Sequence, residues 1–114
     1  MTLRFAALAG LALLAACATT PRGPPPGSEL AGRTLRMETA RGQVTMLRFQ
    51  PGGTVRARFE GRSLDGRWEA GRRRLCFFWP RAPRECWPYR APFERGRMRT
   101  LTSDRGNVLR VTLL

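Results

Sequence analysis

Histidine and lysine are absent from this 114-residue sequence, and only eight of its residues are acidic. Without histidine, the chain lacks the commonest general base and the commonest metal ligand of proteins. Most of the carboxylates fall in predicted turns or at outward positions of predicted strands. No Cys-x-x-Cys pair is present, so we expect no metal and no cofactor other than covalent lipid. No serine has a histidine to activate it, and these absences predict that the protein is not an enzyme.

All 21 basic residues are arginine, and the formal net charge is +13. Charge of this sign favours anionic partners and disfavours cationic ones. Three consecutive arginines, at positions 72–74, precede the most aromatic stretch of the chain, and others follow at 81, 84 and 90. Two interpretations stay open: a surface that recognises an anionic partner, and a solvated face that reflects an arginine-rich codon preference.

The first 16 residues have the layout of a secretory signal. Arg4 supplies a positive charge, and the apolar run from Phe5 to Ala16 is too short to span a bilayer comfortably. The run ends in Leu14-Ala15-Ala16-Cys17, which resembles the lipobox of bacterial lipoprotein precursors. That resemblance implies cleavage before Cys17 and acylation of Cys17, with several acyl chains, such as palmitate, holding the protein on a membrane. The alternative is an ordinary secretory signal with an incidental cysteine.

Position 18 is alanine rather than aspartate. By the same resemblance, this implies sorting to the outer membrane of a Gram-negative cell, with the protein facing the periplasm. A signal segment of this kind excludes nucleic acid as a partner. The compatible partners are the membrane itself, anionic phospholipid, lipopolysaccharide phosphates or an acidic envelope protein, and we expect the domain to be monomeric.

The chain divides into three segments: a signal peptide (1–16), the lipidated Cys17 with a Pro/Gly-rich linker (17–28), and one domain (29–114). The linker sequence ATTPRGPPPGS, residues 18–28, contains four prolines and no large apolar side chain. Such a segment stays extended and would hold the domain at most about 30 Å from its anchor.

From residue 29 onward, short alternating stretches are separated by turn signals about every 8 to 12 residues. The clearest is Thr54–Glu60, where Val55, Ala57 and Phe59 share one face. The pattern predicts an all-β fold of about eight strands, either a small antiparallel up-and-down barrel or a two-sheet sandwich. The predicted strands are 34–38, 43–50, 54–60, 64–70, the two arms of a hairpin within 74–90, one broken strand or two within 93–102, and 108–114.

The hairpin sequence RLCFFWPRAPRECWPYR, from Arg74 to Arg90, holds two of the three cysteines and the only tyrosine. With Cys17 assigned to lipid, Cys76 and Cys86 remain as a pair in an oxidising compartment. We therefore predict a disulfide between opposed residues of a hairpin centred on Arg81. Closing this loop contributes about 3 kcal/mol of stability, which is substantial for a domain this small.

The predicted register places Leu75, Phe77 and Trp79 on one face with Trp87 and Tyr89, and Phe78 with the disulfide on the other. Since both faces are apolar, the aromatic side chains belong either to the core or to an exposed patch that contacts a partner. The candidate partner-contact residues are Trp79, Trp87, Tyr89, Phe78, Arg81 and Arg84.

The pattern formed by Gly66-x-Trp68, by Leu75-Cys76-x-x-Trp79 and by Cys86 before an aromatic residue resembles small secreted proteins of proteobacteria. That resemblance implies no particular activity. The function expected from the sequence is that of a non-catalytic, membrane-anchored envelope lipoprotein that binds a protein or an anionic envelope component. The alternative is a periplasmic inhibitor of a secreted hydrolase, with an acidic metalloprotease favoured over cationic lysozyme because the domain is strongly basic.

Overall fold

The computed structural model describes Thr2 and residues 23–114; the rest of the predicted signal segment, Cys17 and residues 18–22 lie outside the described residues. Residues 23–114 are all-β, as predicted, and include no helix long and apolar enough to cross a membrane. The eight strands are β1 (Thr34–Thr39), β2 (Val44–Phe49), β3 (Thr54–Phe59), β4 (Arg62–Ala70), β5 (Arg74–Phe78), β6 (Glu85–Pro88), β7 (Met98–Thr102) and β8 (Val108–Leu113).

All eight strands belong to one antiparallel sheet with the order β6-β5-β4-β3-β2-β1-β8-β7. The two edge strands, β6 and β7, are bridged by Asp104 of the β7–β8 turn. The Cys86 N–H donates to Asp104 Oδ1 over 2.9 Å, and the Asp104 N–H donates to the Cys86 carbonyl over 2.9 Å. The sheet is therefore a nearly closed barrel, and of the two architectures that the sequence allowed, the barrel is confirmed.

Apolar and polar residues alternate along the strands, and the apolar side chains fill the interior of the barrel. In β3, Val55 and Ala57 are buried while Arg56 and Arg58 are exposed. Eight strands leave an interior just wide enough for side chains to fill. The buried apolar residues are Leu30, Leu35, Leu47, Phe49, Val55, Ala57, Leu75, Phe77, Cys86, Trp87, Tyr89, Phe93, Leu109, Val111 and Leu113.

Two predicted strands differ from the structure by more than one residue. Strand β4 begins at Arg62 rather than at residue 64, because Glu60 and Gly61 alone connect β3 to β4. Glu60 adopts a positive φ of 48°, as the first residue of a type I′ hairpin turn must. Within the predicted stretch 93–102, only residues 98–102 form a strand. Phe93 is buried ahead of a turn closed by the bond from the Arg97 N–H to the Glu94 carbonyl.

The meander gives the barrel two distinct ends. The end at which the described chain enters, here called the proximal end, also carries the β2–β3 turn, the β4–β5 turn and the β6–β7 connection. The opposite end, here called the distal end, carries the β1–β2, β3–β4, β5–β6 and β7–β8 turns. Antiparallel neighbours joined in sequence order require this alternation of turns between the two ends.

The chain joins the barrel earlier than the predicted linker boundary. Gly27, expected in an extended linker, is buried, and a Cβ at this position would come within 2.6 Å of the Ala70 Cβ. Ser28 N–H closes a turn onto the Pro25 carbonyl, so the expected extended conformation is wrong for residues 25–28. Leu30 is fully buried. Among the described residues, every buried residue lies between Gly27 and Leu113, and all eight strands lie within the same range. We therefore expect residues 23–114 to fold as a unit.

Candidate functional site

The predicted disulfide closes the hairpin formed by β5 and β6. Cys76 and Cys86 are opposed in the register, are bonded to each other, and have Cα atoms 4.0 Å apart. The backbone N–H and carbonyl of Cys86 both bond to Asp104 on the other side. The cysteines are therefore a non-hydrogen-bonded pair, the closely spaced kind in which a disulfide fits. Residues 80–84 beyond the disulfide form an exposed loop, and Arg81 at its centre has a φ of 57°.

Two of the candidate partner-contact residues belong to the core. Trp87 is 2% exposed and Tyr89 is 4% exposed. They lie on the interior face with Leu75 and Phe77, and the Trp87 and Phe77 ring centroids are 4.5 Å apart. Neither Trp87 nor Tyr89 is available at the surface, which corrects the expectation that they contact a partner. The indole nitrogen of Trp87 has no hydrogen-bond partner among the described residues.

Trp79 and Phe78 are half-buried, one at each face of the sheet. The Trp79 ring stacks on Phe77 at 6.0 Å with an interplanar angle of 3°. It also lies over Gly66 of β4, where a Cβ would come within 2.5 Å of the ring. Because Gly66 of the Gly66-x-Trp68 pattern has no side chain, the Trp79 ring can occupy the space above it. On the outer face, the Arg67 guanidinium lies 5.8 Å from the centre of the Phe78 ring and covers it.

A buried polar network fixes the entering chain to the proximal end. The Tyr89 hydroxyl donates to the Glu29 carboxylate over 2.7 Å and accepts the Gly27 N–H over 3.1 Å. The Phe93 N–H also donates to Glu29, over 2.7 Å. Burial, reinforced by the hydrogen bond to Glu29, raises the pKa of Tyr89 to about 12. The network holds the first described residues against the barrel wall, so their position is fixed by the fold.

The arginines that flank the hairpin separate into two groups at opposite ends of the barrel. Arg72, Arg73 and Arg90 line a pocket of about 380 Å³ at the proximal end. The Tyr89 N–H donates to the Arg73 carbonyl over 2.8 Å, which holds the two loops together. Arg81 and Arg84 are exposed in the β5–β6 loop at the distal end. The ion pairs of residues 23–114 include none of these five arginines.

The acidic side chains that have hydrogen-bond partners stabilise turns and neighbouring strands. The Ser103 hydroxyl donates to Glu85 over 2.7 Å and accepts the Asn107 N–H over 3.2 Å, which orders the β7–β8 turn. On the outer wall, Asp65 accepts from Arg56 over 2.8 Å, and this bond lowers the pKa of the Asp65 carboxyl. Across residues 23–114, no three acidic or cysteine side chains are grouped so as to hold a metal ion.

The division of the hairpin arginines between two ends of the barrel and the Glu29–Tyr89 network were not predicted from the sequence. A signal for the first was present, because the register that pairs Cys76 with Cys86 also places Arg72 opposite Arg90 once it is continued past the hairpin. The Glu29–Tyr89 network had no signal in the sequence, because Glu29 lies 60 residues before Tyr89 and beside a linker-like segment. A third feature, an apolar opening at the distal end, combines residues of strands β1 to β4 with the β1–β2 and β5–β6 turns, and no sequence pattern indicated it.

Comparisons were made with protein-family models, with curated proteins and with solved structures. None of the three finds a match for this chain. The features that bear on function are therefore those of the chain itself: a fixed entry point, three arginines beside it that form no ion pair within residues 23–114, and a disulfide-closed loop at the opposite end.

Proposed function

We propose that this chain is a non-catalytic, lipid-anchored module of the bacterial cell envelope whose proximal end binds anionic lipid head groups. The proposal combines the lipobox resemblance at Cys17 with one observation of the fold. That observation is the convergence of Arg72, Arg73 and Arg90, free of ion pairs within residues 23–114, at the end where the chain enters the barrel.

The distance between anchor and barrel supports this orientation. Gly27 is fixed against Ala70, and ten residue steps separate it from Cys17. Even fully extended, ten steps cover only about 35 Å. A lipid on Cys17 would therefore let the proximal end reach the head groups, whose attraction for exposed arginines acts over a Debye length of about 8 Å.

The arginine cluster can contribute appreciably to membrane association. Each basic side chain near an anionic surface contributes about 1 kcal/mol, so three contribute about 3 kcal/mol, or roughly a hundredfold in partitioning. Phospholipid and lipopolysaccharide phosphates are both bound well by guanidinium groups, which can donate two parallel hydrogen bonds to a phosphate. The outer membrane, seen from the periplasm, is the location that this proposal implies.

Vesicle binding tests the proposal without the lipid anchor. Residues 23–114 should co-sediment with vesicles rich in phosphatidylglycerol and not with phosphatidylcholine vesicles, and binding should fall as salt rises. The triple variant Arg72→Glu, Arg73→Glu, Arg90→Glu should reduce binding at least a hundredfold. Equal binding to neutral vesicles would contradict the proposal.

A matched control separates a located site from overall charge. Arg48→Glu, Arg58→Glu and Arg110→Glu together make the same charge change on exposed residues of the outer wall. This triple variant should retain most of the binding. If it loses as much as the proximal triple variant, only net charge is involved and the proposed orientation is wrong.

The anchor is tested in cells. Blocking lipoprotein signal peptidase should cause the unprocessed chain to accumulate, and Cys17→Ala should release the protein from the membrane fraction. Normal processing under the block would rule out the lipobox, since only that peptidase requires the acylated cysteine.

The exposed loop at residues 80–84 favours a second candidate, inhibition of a secreted hydrolase. The disulfide at its base makes the loop rigid, and a rigid loop binds a cleft with little loss of conformational freedom. Stoichiometric inhibition of an acidic metalloprotease, lost in Arg81→Ala and absent for cationic lysozyme, is the result expected of an inhibitor. Protease activity that stays the same as this protein is added would exclude this candidate.

A further inference from the structure

The distal end of the barrel opens into an apolar cavity. Its volume is about 340 Å³. Apolar side chains dominate the lining, and Thr39, Gln43 and Thr45 are its polar members. The apolar lining residues are Met37, Leu47, Ala57, Phe59, Leu64, Trp79, Pro80 and Ala82.

The cavity is part of the barrel interior that side chains leave unfilled. Leu47 and Ala57 at its floor are buried, whereas Met37, Phe59 and Trp79 around it are half-buried and Leu64 is 37% exposed. At the proximal end the corresponding space is occupied by Leu30, which is fully buried. No described segment covers the distal end, so an apolar surface is left facing solvent inside a concave site. Cavities of this size and lining bind small apolar ligands.

Arginines surround the opening. Arg41 lies in the β1–β2 turn, two residues before Gln43 of the lining, and Arg81 lies between Pro80 and Ala82 of the lining. Arg62 is the first residue of β4 and pairs with Phe59 of β3. It points to the same face of β4 as Leu64 and lies nearer the distal end. All three are exposed, and the ion pairs of residues 23–114 include none of them. Glu60 is the one carboxylate in the β1–β2, β3–β4 and β5–β6 turns, so the opening that these three turns surround carries net positive charge.

We infer that the distal cavity binds a free straight-chain fatty acid, with its hydrocarbon tail among the apolar side chains and its carboxylate at the arginine-lined opening. A cavity of about 150 Å³ accommodates a six-carbon ring, so 340 Å³ corresponds to roughly 12 to 14 carbons. Charge complementarity selects an anionic head group. A single chain fills the volume, which excludes a two-chain phospholipid as the occupant. The inference is independent of membrane binding at the proximal end.

Dodecanoate is the probe for this inference. Isothermal titration calorimetry of residues 23–114, below the critical micelle concentration, should show saturable binding of one dodecanoate per chain. Affinity should rise from hexanoate to decanoate and level off beyond dodecanoate, because further carbons lie in water. No saturable binding, or equal affinity for dodecyltrimethylammonium, which has the same tail and the opposite charge, would overturn the inference.

Two variants locate the ligand, each with a matched control. Arg62→Glu should weaken dodecanoate binding about tenfold by reversing charge at the opening, whereas Arg48→Glu makes the same change on the outer wall and should leave it unchanged. Leu64→Asn should weaken binding several-fold, whereas Val108→Asn alters another exposed apolar side chain outside the cavity. Since all four side chains are exposed, the fold should persist, which melting temperatures verify. If each control weakens binding as much as its partner variant, the distal cavity is not the site.

Discussion

Removing the Tyr89 hydroxyl tests how the entering chain is held to the barrel. Tyr89→Phe keeps the buried ring and deletes one oxygen, which donates to Glu29 over 2.7 Å and accepts the Gly27 N–H over 3.1 Å. A hydrogen bond to a charged group contributes about 1.5–3 kcal/mol, and a buried N–H left without a partner costs about 1–3 kcal/mol. Water reaches the half-buried Glu29 in the variant and offsets part of this loss.

We therefore expect Tyr89→Phe to lower the free energy of unfolding by about 2–3 kcal/mol. For a domain of this size, the melting temperature should fall by roughly 10–20 °C. Urea denaturation and calorimetry measure the two quantities. In a double-mutant cycle with Glu29→Ala, the two losses should be strongly non-additive because each variant removes the bond between Tyr89 and Glu29.

The same residue gives an alkaline signature. Tyr89 is the only tyrosine, so the phenolate absorbance of the folded chain reports its pKa directly, and we expect a value of about 12. In the unfolded chain the phenol titrates near 10. The unfolded chain therefore releases its proton first. This contribution to stability is intact below pH ~10 and is lost between about pH 10 and 12, amounting to at most about 3 kcal/mol.

Tyr89→Phe should abolish that part of the pH dependence. A normal phenol titration near pH 10 in the folded chain would contradict the buried network. So would a variant with unchanged stability and an unchanged alkaline slope.

Two further predictions concern the closure of the barrel. Cys76→Ser should lower the free energy of unfolding by about 3 kcal/mol. Reductant should lower the melting temperature of the parent chain but not that of the variant. A parent chain that melts identically with and without reductant would refute the role of the disulfide. Asp104→Ala should cost about 1–2 kcal/mol in urea denaturation because the Cys86 N–H loses its acceptor. Asp104→Asn keeps an oxygen there and should cost much less; equal losses in the two variants would show that this bond does not close the seam between β6 and β7.

The hairpin shows how far sequence reasoning reaches. Its register could be predicted because two cysteines must be opposed to bond, and that single constraint sorted Phe77 and Trp87 onto one face and Phe78 onto the other. The same constraint could not tell which face is the core. Tyr89 is buried against Gly27 and Glu29, about 60 residues earlier, and Trp87 belongs to a core shared by distant strands, so two of the candidate contact residues proved to be interior ones.

The segment before β1 shows the opposite case. Proline and glycine predict an extended linker, yet Gly27 is packed between Trp68, Ala70 and the Tyr89 hydroxyl. Local composition cannot reveal this, because the surfaces that hold Gly27 are assembled only when β4 meets the β6–β7 connection. Glycine is required there for two reasons: a side chain has no space, and the backbone adopts a φ of 81°.

By itself, the sequence determined the strand pattern, the disulfide and the choice of an all-β fold. These depend on alternation, turn residues and cysteine spacing, which act over a few residues along the chain. Only the tertiary structure decided between barrel and sandwich, because that choice depends on β1 pairing with β8 and on Asp104 bridging β6 and β7. It also left an apolar cavity at the distal end. That cavity follows from closure, because closure brings strands that are distant in sequence around a common interior.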